Sequence, residues 1–205
     1  MTRRLYRPAA WVLVSAVVAP VAVVGCWTVA AQVQPSGYDA VHDTISALAR
    51  HGAAHRQIMT VGLTALGLAH VVTAAGLRTL SPAARTVLAL AGFATLGVAV
   101  FAQPEHGSSR PHVVLATIGF VLLVAWPAVA TRGVGDRPVV LSAPVGVGVS
   151  AVSAALLVWF ALAMSGGPLG VAERVLVAEQ ALWPLCVVVA LRRVGGSMNA
   201  GCDTA

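Results

Sequence analysis

The sequence predicts an all-α polytopic transmembrane bundle of six spans with both termini cytoplasmic, and three observations point there. Of 205 residues, 58% are hydrophobic and only 10% charged, and the mean hydropathy is +0.86, where soluble domains carry about 25% charged residues. Apolar runs of about 20 residues, the length that crosses a hydrocarbon core, recur six times between Gly, Pro and charged punctuation. None of these runs alternates as a barrel strand would, and lipid tolerates only helices or closed barrels.

The first span is expected at Ala9 to Ala31. Its basic leader MTRRLYR, with Arg3 and Arg4 as a twin-arginine pair, imitates an export signal, and Val23-Val24-Gly25-Cys26 imitates a lipoprotein cleavage box. The apolar run continues through Trp27 to Ala31 and five further spans follow, so an uncleaved first helix is expected. The polar stretch from Asp39 to Arg56, DAVHDTISALARHGAAHR, comes next and holds three of the six histidines. The second span is expected at Ile58 to Leu77, with His70 near its middle, and the third, the shortest, at Thr86 to Ala102. After the QPEHGSSRP loop the fourth runs from His112 to Thr131, the fifth from Val139 to Met164, and the sixth, after SGGPLG, from Val171 to Leu191. The six spans form one integral membrane domain over residues 1–193, and the small, polar stretch 194–205 is expected to be a disordered cytoplasmic tail.

Arginine placement sets the orientation, because basic residues accumulate in cytoplasmic loops. With the N-terminus inside, Arg3, Arg4, Arg7, Arg78, Arg85, Arg132, Arg137, Arg192 and Arg193 lie inside and Arg50, Arg56, Arg110 and Arg174 outside, nine against four. The histidine-bearing first loop then faces outward. Net charge is +6, but the arginines are scattered in ones, twos and threes and form no basic face, so nucleic acid is not an expected partner. All 13 basic residues are Arg, a bias read as that of a GC-rich bacterial genome. Cys26, Cys186 and Cys202 lie at different depths, so no disulfide is expected. Small residues at helix-packing intervals, Gly146, Ser150 and Ala154 in the fifth span and Gly62, Leu66 and Ala69 in the second, serve packing within the bundle or a homo-oligomer face.

Three groups of residues carry candidate chemistry. Asp43 is placed to cap a short helix over Thr44 to Arg50 through its carboxylate, or to face a polar pocket together with Ser46 one turn on. The outer histidines form the second group: His51 and His55 have the i, i+4 spacing of metal ligands, and His106 and His112 lie on the same side. Gly52 interrupts the first pair and no HExxH motif is present, so neither a metal nor any other cofactor is expected. Third, Glu179 lies about eight residues into the sixth span, roughly 12 Å deep at 1.5 Å per residue. Such a carboxyl belongs in the bundle interior, where it pairs with His70 or bonds a neighbouring helix.

Asp43-Thr44-Ile45-Ser46-Ala47-Leu48 after the first span, Pro104 in the following outer loop, His112 opening the fourth span and Gly170-Val171-Ala172-Glu173-Arg174 opening the sixth resemble the bacterial six-span family catalogued as domain of unknown function 998. The resemblance covers the first span to Leu191, with Val171 standing where Leu is expected. It implies a multi-pass protein of the bacterial plasma membrane with no established activity. It also implies an outer polar cluster of Asp43, Ser46, His112 and Arg174, in which Arg174 pairs with Asp43 or Glu173. The expected function is accessory or structural, with that cluster fastening the first loop over the bundle and binding a lipid headgroup or small anion. Membrane lipids are then the expected partners. Two other classes are open: a small-molecule or proton-coupled transporter using His70 and Glu179, and a metal-dependent membrane hydrolase using the outer histidines.

Overall fold

The computed structural model describes residues 7–131 and 138–200, the side chains of 195–200 excepted. Arg3, Arg4, Arg132, Arg137 and Cys202 lie outside these residues. Six helices account for the fold: α1 (Ala10–Gln32), α2 (Gln57–Gly76), α3 (Pro82–Val100), α4 (Arg110–Ala130), α5 (Ala143–Ala163) and α6 (Leu169–Ala200). All six are long and apolar enough to cross a membrane, and no strand occurs among the described residues. Each helix packs on its neighbours in the chain and α6 returns to α1, which closes the bundle into a ring.

The helix ends follow from local chemistry. Ser81 caps α3 by accepting from the Ala84 N–H at 3.2 Å, with Pro82 in the first turn. Ser109 does the same for α4, accepting from the His112 N–H at 3.4 Å. Reading Pro82 and Arg85 as punctuation places the start of the third span at Thr86, four residues late. Arg85 is inside the helix, and its guanidinium folds back onto the Ala74 and Ala75 carbonyls at 3.0 and 3.2 Å. The fifth helix starts four residues after Val139, because Val139–Leu141 form a 3-10 turn ahead of Ser142. At the other extreme, α6 does not stop near Leu191. Its backbone stays helical to Ala200, so the stretch read as a tail from 194 is helical over most of its length, and 201–205 lie outside the described residues.

Packing is tightest where side chains vanish. A Cβ on Gly67 of α2 would come within 2.8 Å of the Gly92 carbonyl oxygen of α3, and one on Gly92 within 2.7 Å of the Gly67 oxygen, so the two backbones touch directly. Pro127 removes a helical N–H in α4, and there the Ala128 N–H donates to Ser150 Oγ of α5 at 3.1 Å, which joins the helices at the break. Two apolar clusters fill the ring. Val12, Leu77, Leu88, Trp126 and Leu191 anchor the one at the end where α1 begins, and there Arg192 of α6 donates to the Pro8 carbonyl at 2.5 Å. Val23, Leu48, Met59 and Leu63 anchor the other, beneath the long first connection. α5 contributes little to either and presents Val147, Val152, Val158 and Leu162 outward, as a lipid-facing helix does.

Candidate functional site

Residues 33–56 cross from α1 to α2 as a strap over one end of the ring. Its first part is a self-bonded loop. Asp39 accepts from the Val41 N–H at 2.8 Å and from His42 Nδ1 at 2.6 Å, and this ring N–H chiefly holds the Asp39 carboxyl below its usual range. Asp43 turns back rather than forward, its carboxylate accepting from the Asp39 N–H at 2.8 Å. The expected cap is therefore made by another residue. Thr44 Oγ1 accepts from the Ala47 N–H at 3.1 Å, and the helix it opens is a single 3-10 turn, Ser46–Ala49. Asp43 precedes that turn by too many residues for its carboxylate to reach the first free N–H groups.

The strap is stapled to the start of α6. Val41 O accepts from the Gly170 and Val171 N–H groups at 2.9 and 3.2 Å, so a strap carbonyl satisfies the first turn of the helix. Arg174 donates to the carbonyls of Ala40 at 2.8 Å, Asp43 at 3.0 Å and Gly170 at 2.8 Å, and to the Tyr38 hydroxyl. The expected pairing of Arg174 with a carboxylate does not form as a direct contact. Three backbone oxygens share Nη1 of the guanidinium, and Nη2 faces the Tyr38 hydroxyl. Burial raises the Tyr38 phenol above its ordinary range, which the neighbouring Arg174 opposes only in part, so the phenol keeps its proton. Gly170 is required at this junction: a Cβ there would overlap the Asp43 and Ala40 oxygens. One turn further in, the buried Glu173 accepts from the Ile45 N–H at 2.5 Å.

Ser46, next in the strap, meets His112 of α4. Its Oγ lies 3.1 Å from His112 Nε2, and His112 Nδ1 lies 3.0 Å from the Phe101 carbonyl. His112 is 3% exposed. Of the four residues expected to form an outer cluster, Ser46 and His112 bond each other, while Arg174 reaches Asp43 only through its backbone.

Beneath Ile45 and Ser46 lies a cavity of about 60 Å³ between α2, α3, α4 and α6. Its wall is mostly apolar, with Leu63, Leu66, Val98, Leu115 and Val177, and its polar groups are Ser46, Glu173, His70, Thr95 and Gln180. It spans about 10 Å of depth, from Leu63 to His70 on α2 and from Glu173 to Gln180 on α6, at 1.5 Å per residue. His70 is 1% exposed and Gln180 4%. Neither ring nitrogen of His70 has a hydrogen-bond partner in the protein, nor does Gln180 Oε1. Gln180 Nε2 is engaged with the Phe120 carbonyl at 3.3 Å and Ser153 Oγ at 3.2 Å.

Glu179 does not pair with His70. One residue turns a helix by about 100°, so Glu179 and its neighbour Gln180 look in different directions. Glu179 sits in a groove between α5 and α6 with Val149, Val152, Leu182, Trp183 and Cys186, and its carboxyl lies against Ser153. Gln180 takes the interior place, seven residues from Glu173 and on the same face. That seven-residue spacing is the sequence signal that identifies it. His51, His55 and His106 are exposed, and Gly52 and His55 both have positive φ, at 84° and 48°, so the i, i+4 spacing is not carried on a helix. Among the described residues no three His, Cys, Asp or Glu side chains gather as metal ligands.

The family model described as "Protein of unknown function (DUF998)" matches residues 16–190, the part of the chain that contains the strap, the cavity and all but the ends of the bundle. No curated protein and no solved structure matches the chain. The chain belongs to the DUF998 family.

Proposed function

We propose that this DUF998 membrane protein binds a neutral, hydroxyl-bearing amphiphile, the head entering the cavity beneath the strap. The observation that carries this reading is the set of polar valences left over in the cavity, on both ring nitrogens of His70 and on Gln180 Oε1. A neutral imidazole offers one donor and one acceptor, and the amide oxygen offers an acceptor. Their complement is a group that both donates and accepts, which is what hydroxyls do. Leaving such atoms unpaired costs about 1–3 kcal/mol each, a cost that a hydroxyl group bound in the cavity would offset.

The reading replaces an anion site with a neutral one, because Arg174 is not part of the cavity wall and its Nη1 is engaged by the backbone oxygens of the strap and of Gly170. The apolar wall suits the adjoining part of a lipid-like molecule. In the orientation set by the arginine bias the strap faces the outside of a bacterial plasma membrane, so the ligand comes from the outer leaflet or the space beyond it. The role is that of a binding or accessory protein with membrane lipids as partners. Glu179 and His70 line separate cavities, so the geometry favours binding over a transport path that joins them.

Native mass spectrometry of protein purified in mild detergent tests this. The wild type is expected to carry one amphiphile per chain, and His70→Leu to lose it. The same substitution is expected to raise stability by about 1 kcal/mol, since it removes unpaired buried polar atoms. A wild-type protein free of adduct, or a His70→Leu protein that keeps it, refutes the proposal.

A further inference from the structure

We propose that Ser46 and His112 are a nucleophile and its general base, and that the cavity is an acyl-transfer site for carboxylic esters. The tautomer follows from the partners. A carbonyl oxygen only accepts, so the His112 nitrogen facing Phe101 O at 3.0 Å, Nδ1, carries the proton. The lone pair is then on Nε2, directed at Ser46 Oγ 3.1 Å away, and the serine hydroxyl donates to it. This is the arrangement that activates a serine: a base within hydrogen-bonding reach, with its other nitrogen held by a third group.

Both members are held in place independently of each other. His112 lies in the first turn of α4, buried, with its own N–H capped by Ser109. Ser46 is fixed by its neighbours, through the Ile45 N–H on Glu173 and the Ala47 N–H on Thr44. Its hydroxyl is half-buried and lies on the cavity wall, where an entering ester carbonyl would meet it. A bond whose only task is to fasten the strap has no need of a cavity at the hydroxyl.

The chemistry balances with water as the second reactant. As Oγ bonds to the ester carbonyl carbon, its proton passes to His112 Nε2. The bond from that carbon to the alcohol oxygen breaks, and the leaving alcohol takes the proton from Nε2, which leaves an acyl ester on Ser46. Water then adds by the same route with His112 as base, releasing the carboxylic acid and restoring the Ser46 hydroxyl.

This inference rests on the binding role proposed for the same cavity, and a covalent probe separates the two. Purified full-length protein is treated with hexadecyl fluorophosphonate and its intact mass followed. The expected result is a single adduct that maps to Ser46, is absent in Ser46→Ala and forms at least about 100-fold more slowly in His112→Ala, the lower end of what a general base contributes. Melting temperatures of both variants report whether they fold. If either variant does not fold, the peptide carrying the wild-type adduct decides. No adduct, an adduct elsewhere, or an unchanged rate in folded His112→Ala overturns the dyad, even where a co-purified amphiphile upholds binding. Labelling at Ser46 in protein that never carries an amphiphile upholds the dyad and overturns only the bound-ligand role.

Discussion

Arg174 does at the level of one residue what a salt bridge is usually assumed to do. Its charge is spread over the Ala40 and Asp43 carbonyls of the strap, 134 and 131 positions away in the chain, and a planar fork of donors suits this better than an ammonium. Arg174→Ala is expected to lower stability by about 2 kcal/mol, the scale of a charge-assisted hydrogen bond lost to buried partners. Arg174→Lys is expected to recover less than half of that. Thermal unfolding in detergent, with limited proteolysis of the strap, measures both. The sequence marks Arg174, Asp43, Ser46 and His112 as neighbours at one end of the bundle, and that much is legible because they lie at span ends. Which atoms meet is not legible. Asp43 looks like a helix cap by composition, and only the three-dimensional turn of the loop brings its carboxylate back to Asp39.

Among elements, the contrast between α5 and the α2–α3 pair is the most informative. Gly92 faces the Gly67 carbonyl across the α2–α3 contact, whereas a Cβ on Gly148 of α5 would meet nothing within 4 Å. Gly92→Ala is therefore expected to destabilise by about 1–3 kcal/mol through overpacking, and Gly148→Ala to be neutral. Denaturant titration in mixed micelles distinguishes them. Helix existence is readable from sequence because a bilayer allows so few alternatives. Helix starts are less so, as α3 demonstrates: Ser81-Pro82 is a start signal, and Arg85 belongs to the helix because the carbonyls that bind it come from α2. On α6 the interior face was readable in principle from the spacing of Glu173, Val177 and Gln180. The more conspicuous Glu179 points elsewhere because charge identifies a residue and says nothing about its direction.

For the whole molecule, the strap and the Arg192–Pro8 contact occupy opposite ends of the ring, which makes its orientation measurable. In a cysteine-free background, a membrane-impermeant maleimide is expected to label His51→Cys on intact cells and to label Arg78→Cys only after lysis. The reverse pattern would place the strap in the cytoplasm. The staple between strap and α6 also fixes when the site comes into being. Ile45, Ala40 and Asp43 are synthesised early, and the side chains that bind them, Glu173 and Arg174, more than 120 residues later. A nascent chain with five spans in the membrane has a strap with nothing to close on and a cavity without one wall. Ser46 and His112 therefore come under a fastened roof only when the last helix is in place, and the order of synthesis keeps a half-made chain from displaying a finished site.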